Sequence, residues 1–151
     1  MSPETTLHWS RSLIRLGACQ DALDWCKTQP SFEAAWQTCQ RGYWMLWLLG
    51  KLAGEPDSES RRKLVGCAAD CAELVLAIYE TRHPGDNRIR DTIKACRDYA
   101  NSSISLNELR EFRQAAAYAA YAAYAAARIS TLKQCAEVVR KHYYTTPTLS
   151  K

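Results

Sequence analysis

Between Ser105 and Pro147 the chain contains neither glycine nor proline, and residues 115–127 read AAAYAAYAAYAAA. Alanine has the highest helix propensity of any residue, and without a breaker nothing local ends a helix. The spacing Ser105-x-x-Glu108 is that of a capping box, which sets the start. Any fold must therefore house helix from Leu106 toward Tyr144. One unbroken rod would be about 60 Å long at ~1.5 Å per residue. That is too long for a compact chain of 151 residues. A bend is expected around Arg128 to Thr131, where Ser130 can recap.

The rest of the chain carries the same period. Strand signals are nearly absent: no sustained alternation, no Asn-Gly or Asp-Gly turn, few β-branched clusters. Helices are expected over Thr6–Leu16, stopped by Gly17, and over Cys19–Lys27. Pro30 and Ser31 close the second element and cap the third, Phe32–Arg41, whose Phe32, Ala35, Trp36 and Cys39 fall at i, i+3, i+4 and i+7. Gly42 interrupts, and the nearly all-apolar Tyr43–Leu52 follows. After the Gly54–Asp57 breaker, Ser58 caps a helix over Glu59–Arg82, with Leu64, Cys67, Ala68, Cys71, Leu74, Val75 and Ile78 on its buried face. His83 to Asn87 end it, and Arg88–Asn101 forms another, with Ile89, Ile93, Cys96 and Ala100 inside. The expected fold is all-α: a single compact bundle of six to eight helices over residues 1–151, with flexible ends at 1–5 and 145–151.

Hydrophobic residues make up 47% of the chain, including five Trp and eight Tyr, enough to fill one core. The net charge of +4 is concentrated at the end. From Arg128 onward stand Arg128, Lys133, Arg140, Lys141 and Lys151 against Glu137 alone. Such a segment fits a solvated helix end, where cations suit the macrodipole, or a contact with an acidic partner. The seven cysteines lie within apolar helical patterns, not in the loop framework of secreted proteins, and no CxxC occurs. The start lacks a basic segment followed by an apolar core, and the longest apolar run is too short for a bilayer. A reducing, cytoplasmic location without membrane contact is expected.

Three groups of residues are candidates for binding. Tyr118, Tyr121 and Tyr124 recur every three residues and fan across about a third of a helix circumference. Such a stripe is commonly core, and it also fits a ladder that stacks a base or anchors a protein. Trp36, Trp44 and Trp47 form the second group. Two of the three are expected in the core, and one exposed beside Arg41 would make a cation–π anchor. The third group is Asp86 to Asp91. Arg88 and Arg90 start a helix whose N-terminus is already electropositive, so something acidic must offset them. Asp86, Asp91 or a neighbouring helix could do so, or the site could seat a phosphate or carboxylate.

No nucleophile with a neighbouring base, no G-x-S-x-G and no phosphate-binding glycine loop is present, so no enzyme activity is expected. Cys67 and Cys71 share a helix face but lack further ligands, and His8, His83 and His142 are scattered. No metal and no cofactor are expected.

The order of motifs is more specific. ACQDALDW (Ala18–Trp25), AWQTCQRGYWMLWLLG (Ala35–Gly50) and RRKLVGCAADCAELVL (Arg61–Leu76) precede DNRIRDTIKACRDYA, an S-L-x-E-L start and the alanine–tyrosine helix. Together they resemble a family of helical immunity proteins of bacterial polymorphic-toxin systems, with relatives in phage and prophage genomes. The resemblance runs from about Ala18 to His142. The chain departs from it at Tyr43, where relatives carry an acid, and at Ile89, where they carry proline. It implies a small binding protein with an immunity or phage counter-defence (anti-defence) role, whose partner is a toxin or defence effector. The surface would include Arg88, Arg90 and Asp91, with Trp44 or Trp47 as anchor. A nucleotide-sequestering helical pocket is the alternative suggested by arginines and stacking tyrosines. Nucleic acid ranks last, since few phosphates could be neutralised. A homodimer through the Ala-rich helix is also compatible.

Overall fold

The computed structural model describes residues 8–110 and 132–149. The fold is all-α, and no strand occurs among the described residues. In chain order the helices are α1 (Arg11–Leu16), α2 (Gln20–Lys27), α3 (Phe32–Thr38), α4 (Gly42–Leu52), α5 (Glu59–Arg82) and α6 (Arg88–Ala100). Residues 106–110 and 132–142 are helical as well. The expected bend at Arg128–Thr131 lies outside the described residues.

The punctuation works largely as the local chemistry dictates. Gly17 ends α1 at φ 90°, a left-handed conformation costly for any side chain. The Ser31 hydroxyl accepts from the Ala34 N–H (3.1 Å), and Ser58 from the Arg61 N–H (3.3 Å). In the capping box the Glu108 N–H donates to Ser105 Oγ (3.3 Å), and the Ser105 N–H to Glu108 Oε1 (3.2 Å). Two boundaries differ from expectation. Helix α1 begins at Arg11, after a turn in which the Arg11 N–H donates to the His8 carbonyl, and Ile14 points outward. Helix α3 stops at Thr38 because Cys39 turns extended (ψ 131°) and leads the chain straight into α4.

Helix α5 is the axis. It packs chiefly against α6 and also against α4. Its Leu64, Cys67 and Cys71 enter the largest core cluster, with Leu13, Leu23, Trp36, Met45, Leu48 and Val139. Its Ala69, Val75 and Tyr79 enter a second, with Ile89 and Ile93 of α6. A helix buried on two sides needs more than one stripe, which is why the single predicted face missed Ala69 and Tyr79. In α6 the same rotation buries Ala95 and Tyr99 more deeply than Cys96 and Ala100.

The C-terminal helix 132–142 is fastened by polar contacts as well as by Cys135, Ala136 and Val139 in the core. Arg140 is turned inward, and its Nη1 donates to the carbonyls of Trp36 (3.1 Å) and Cys39 (2.8 Å) at the end of α3. Trp36 Nε1 donates to the Tyr143 carbonyl (3.0 Å). His142 Nε2 lies 2.8 Å from Asp70 of α5. Leu149 packs against the same cluster.

Candidate functional site

All five tryptophans converge on one place. Trp9, Trp25, Trp36, Trp44 and Trp47 line a single apolar cleft of about 220 Å³ between α1, α2, α3 and α4. Its floor is buried: Leu13, Cys26, Ala35, Cys39, Met45 and Leu48. Gly17, Cys19 and Tyr43 are its exposed lining residues and mark the mouth. The short helices explain the arrangement. Helix α1 contributes Leu13 alone, α2 and α3 three residues each and α4 five, and large indoles bridge gaps that such short elements cannot close with aliphatic side chains. Only Trp36 of the predicted trio is fully buried, whereas Trp44 and Trp47 are partly exposed.

The rim carries the charge. The Arg41 guanidinium stands 4.9 Å over the Trp44 ring, and its Nη1 donates to the Tyr43 hydroxyl (3.1 Å). Trp44 contacts Tyr43 edge-on and Trp25 at 6.0 Å between centroids. Lys51 Nζ approaches the Trp47 ring at 5.8 Å. Beside them a second, more polar depression is lined by Asp21, Asp24, Gln29, Thr38, Gln40 and Arg41, and shares Trp25 and Trp44 with the cleft. The result is a partly exposed aromatic–cation platform with carboxylates at one edge, a surface chemistry enriched at energetically dominant contacts.

The start of α6 is satisfied by its own chain. Asp86 Oδ1 accepts from the Arg88 N–H (3.1 Å) and Nε (3.0 Å), Oδ2 accepts from Arg88 Nη2 (2.7 Å), and the Tyr79 hydroxyl donates to Oδ2. Arg90 forms a two-point pair with Glu80 of α5, with Nε donating at 2.9 Å to Oε2. The Asp86 carboxylate thus sits where an added anion would have to sit. Asp91 is exposed in the first turn. Tyr118, Tyr121 and Tyr124 lie outside the described residues.

These pairs make stability acid-sensitive. Hydrogen bonds from the Arg88 side chain, the Tyr79 hydroxyl and the Arg88 N–H hold Asp86 far below the ordinary carboxylate range. Arg90 lowers Glu80, and Arg97 lowers Glu73. A depressed carboxylate contributes stability that is present above its unfolded pKa and is lost as pH falls through its folded one. Urea midpoints are therefore expected to be level at neutral pH and to fall progressively below about pH 4.5. Asp86→Asn should flatten part of that fall. An equal acid slope in the variant would show that Asp86 is not a source of it.

One junction escaped the sequence reading. Asp57, with φ 65°, donates its N–H to the Tyr99 hydroxyl (3.0 Å) and accepts the Leu106 N–H on Oδ1 (2.9 Å). Arg62 lies 4.5 Å from the Tyr99 ring and donates to the Ile104 carbonyl (3.1 Å). The loop read as a plain breaker therefore ties α5 and α6 to the helix that starts at 106. Its only advance signal was an arginine and an acid flanking a capping serine.

Among the described residues no group of three or more His, Cys, Asp or Glu side chains is placed to hold a metal ion, and no helix is long and apolar enough to cross a membrane. All seven cysteines are free, and burial, followed by the proximity of Cys39, pushes the Cys26 thiol up to about 11. Fold and surface together define a small helical protein built around α5, with an aromatic cleft and a cation-topped rim. A profile of the family described as Imm-5 like putative immunity protein matches residues 55–140, more than half of the chain, and the chain belongs to that family. Among curated proteins and among solved structures nothing matches it. The matched span takes in α5, α6 and the C-terminal helix as far as Arg140, while every tryptophan precedes it.

Proposed function

We propose that this chain is a non-enzymatic inhibitor that neutralises a toxin, or a defence effector where a phage carries it, by stoichiometric binding in the cytoplasm. The observation that carries the reading is membership of an immunity-protein family. The Arg41–Tyr43–Trp44 platform, with Trp44 partly exposed, supports it, because tryptophan and arginine are the side chains most often responsible for tight protein contacts. Trp44 is the anchor, Arg41 meets a carboxylate or carbonyl of the partner, and Trp47 with Lys51 extends the surface. Arg88, Arg90 and Asp91 form a second, outer part. Because Asp86 and Glu80 already neutralise the two arginines, their contribution is selectivity rather than anchoring.

The test is affinity capture from the native host, followed by titration of the purified partner. One protein at near-equal stoichiometry is expected, with Trp44→Ala weakening its Kd by roughly thirtyfold, or about 2 kcal/mol. Arg41→Glu is a cleaner charge reversal than Arg88→Glu. The latter sets a carboxylate against Asp86 and disturbs the start of α6 itself. Retained helicity with unchanged affinity in both Trp44→Ala and Arg41→Glu would remove this surface from the model of inhibition.

A further inference from the structure

The cleft between α1, α2, α3 and α4 has a property that docking at the rim does not use. Its volume of about 220 Å³ exceeds the roughly 150 Å³ of an engineered aliphatic cavity that stays dry and takes up benzene. The floor also offers a water almost nothing to bind. Trp9 Nε1 donates away from the cleft to the Gln29 carbonyl (3.2 Å), and Trp36 Nε1 to the Tyr143 carbonyl (3.0 Å). The Cys39 thiol is directed to the Arg41 carbonyl (3.5 Å). The lining is otherwise almost wholly apolar: Phe32 meets Trp9 at 5.5 Å and Trp36 edge-on at 6.3 Å, and Trp25 and Trp44 stand tilted at 46°.

We propose that this cleft is a binding site for a free, neutral, planar aromatic molecule of about the size of indole. Aromatic rings favour offset and edge-on neighbours at centroid separations of about 4.5–7 Å, and a ring entering the cleft would meet indoles and Phe32 along its lining. A charged occupant is disfavoured, since desolvating an ion on a floor without a counter-charge is costly. Arg41, held over the outer face of Trp44, stays at the rim. Entry is between Gly17–Cys19 and Tyr43, where the lining residues are exposed. The cleft shares Tyr43 and Trp44 with the docking platform, but the proposal does not rest on toxin binding and its test needs no partner.

Calorimetric unfolding of the full chain with and without indole decides it. Indole at millimolar concentration is expected to raise the Tm of the native chain by a few degrees. Ala22→Phe, which places a ring in the cleft from α2, should abolish the rise. No shift for the native chain near the solubility limit of indole overturns the site. An equal shift in Ala22→Phe overturns it too, by placing the probe elsewhere. Should Ala22→Phe not fold, alkylation of Cys19 at the mouth replaces it. Slowing by indole supports the cleft, and an unchanged rate overturns it. Tighter binding of N-acetyl-tryptophanamide than of indole overturns the free-ligand reading in favour of an aromatic side chain supplied by a macromolecule.

Discussion

Replacing Trp36 by alanine is expected to cost about 3–5 kcal/mol of folding stability, the range for truncating a buried aromatic. Trp36 is 2% exposed, packs edge-on against Phe32 and lies in the largest core cluster. It also closes the floor of the aromatic cleft, so the void left by truncation adds to a space that is already poorly filled. Its Nε1–H bond to the Tyr143 carbonyl disappears as well, which loosens the end of the C-terminal helix from α3. For a domain of this size a loss of 1 kcal/mol lowers Tm by about 2–4 °C, so a fall of roughly 10 °C should be seen by calorimetry. Trp36→Phe keeps most of the volume without the N–H and should lie well above Trp36→Ala. Equal Tm values for the two would mean that packing at this site contributes little.

Gly42→Ala should destabilise by about 3 kcal/mol, the upper range for overpacking a well-filled site. Gly42 is buried at the start of α4, and a Cβ there would lie 2.4 Å from Cys135 Sγ, 2.6 Å from Cys135 Cβ and 2.7 Å from the Ala136 nitrogen. Two of those atoms belong to the backbone or its first side-chain carbon, so no rotamer change relieves the overlap. The helices must move apart. Gly50, two turns further along α4, is the internal control. A Cβ there meets only a Leu64 methyl at 3.9 Å, ordinary contact. Gly50→Ala should therefore stabilise by about 0.5–1 kcal/mol through helix propensity. Chemical denaturation of both variants separates close helix approach from glycine flexibility. Destabilisation by Gly50→Ala equal to that by Gly42→Ala would contradict the packing given for α4.

Much of the helix pattern was legible because its signals are local. Ser31, Ser58 and Ser105 sit at positions where a hydroxyl can cap, and the structure uses all three. The cysteines of α5 read as small core residues, and Cys67 and Cys71 are buried. Which side of α5 faces which partner was not legible, because a helix between two clusters carries apolar residues on both sides. Gly42 read as an interruption, yet it is the point where two helix backbones meet. That role depends on Cys135, distant in sequence. The cation–π contact of Arg41 with Trp44 could be foreseen from proximity in the chain. The convergence of Trp9 and Trp25 on the same cleft could not, since helical period says nothing about how four short helices cross. The arginines at the start of α6 posed the right question of what offsets them, and Asp86, two residues before Arg88, answers it.

The central claim is that binding itself neutralises a toxin. The most direct measurement is growth of a test bacterium expressing the captured partner from an inducible promoter, alone, with this chain, or with its Arg41→Glu variant. Growth arrest by the partner, relief by the native chain and weaker relief by Arg41→Glu at equal expression are the predicted result. Arrest that the native chain leaves untouched, or a captured partner that never slows growth, would contradict the account.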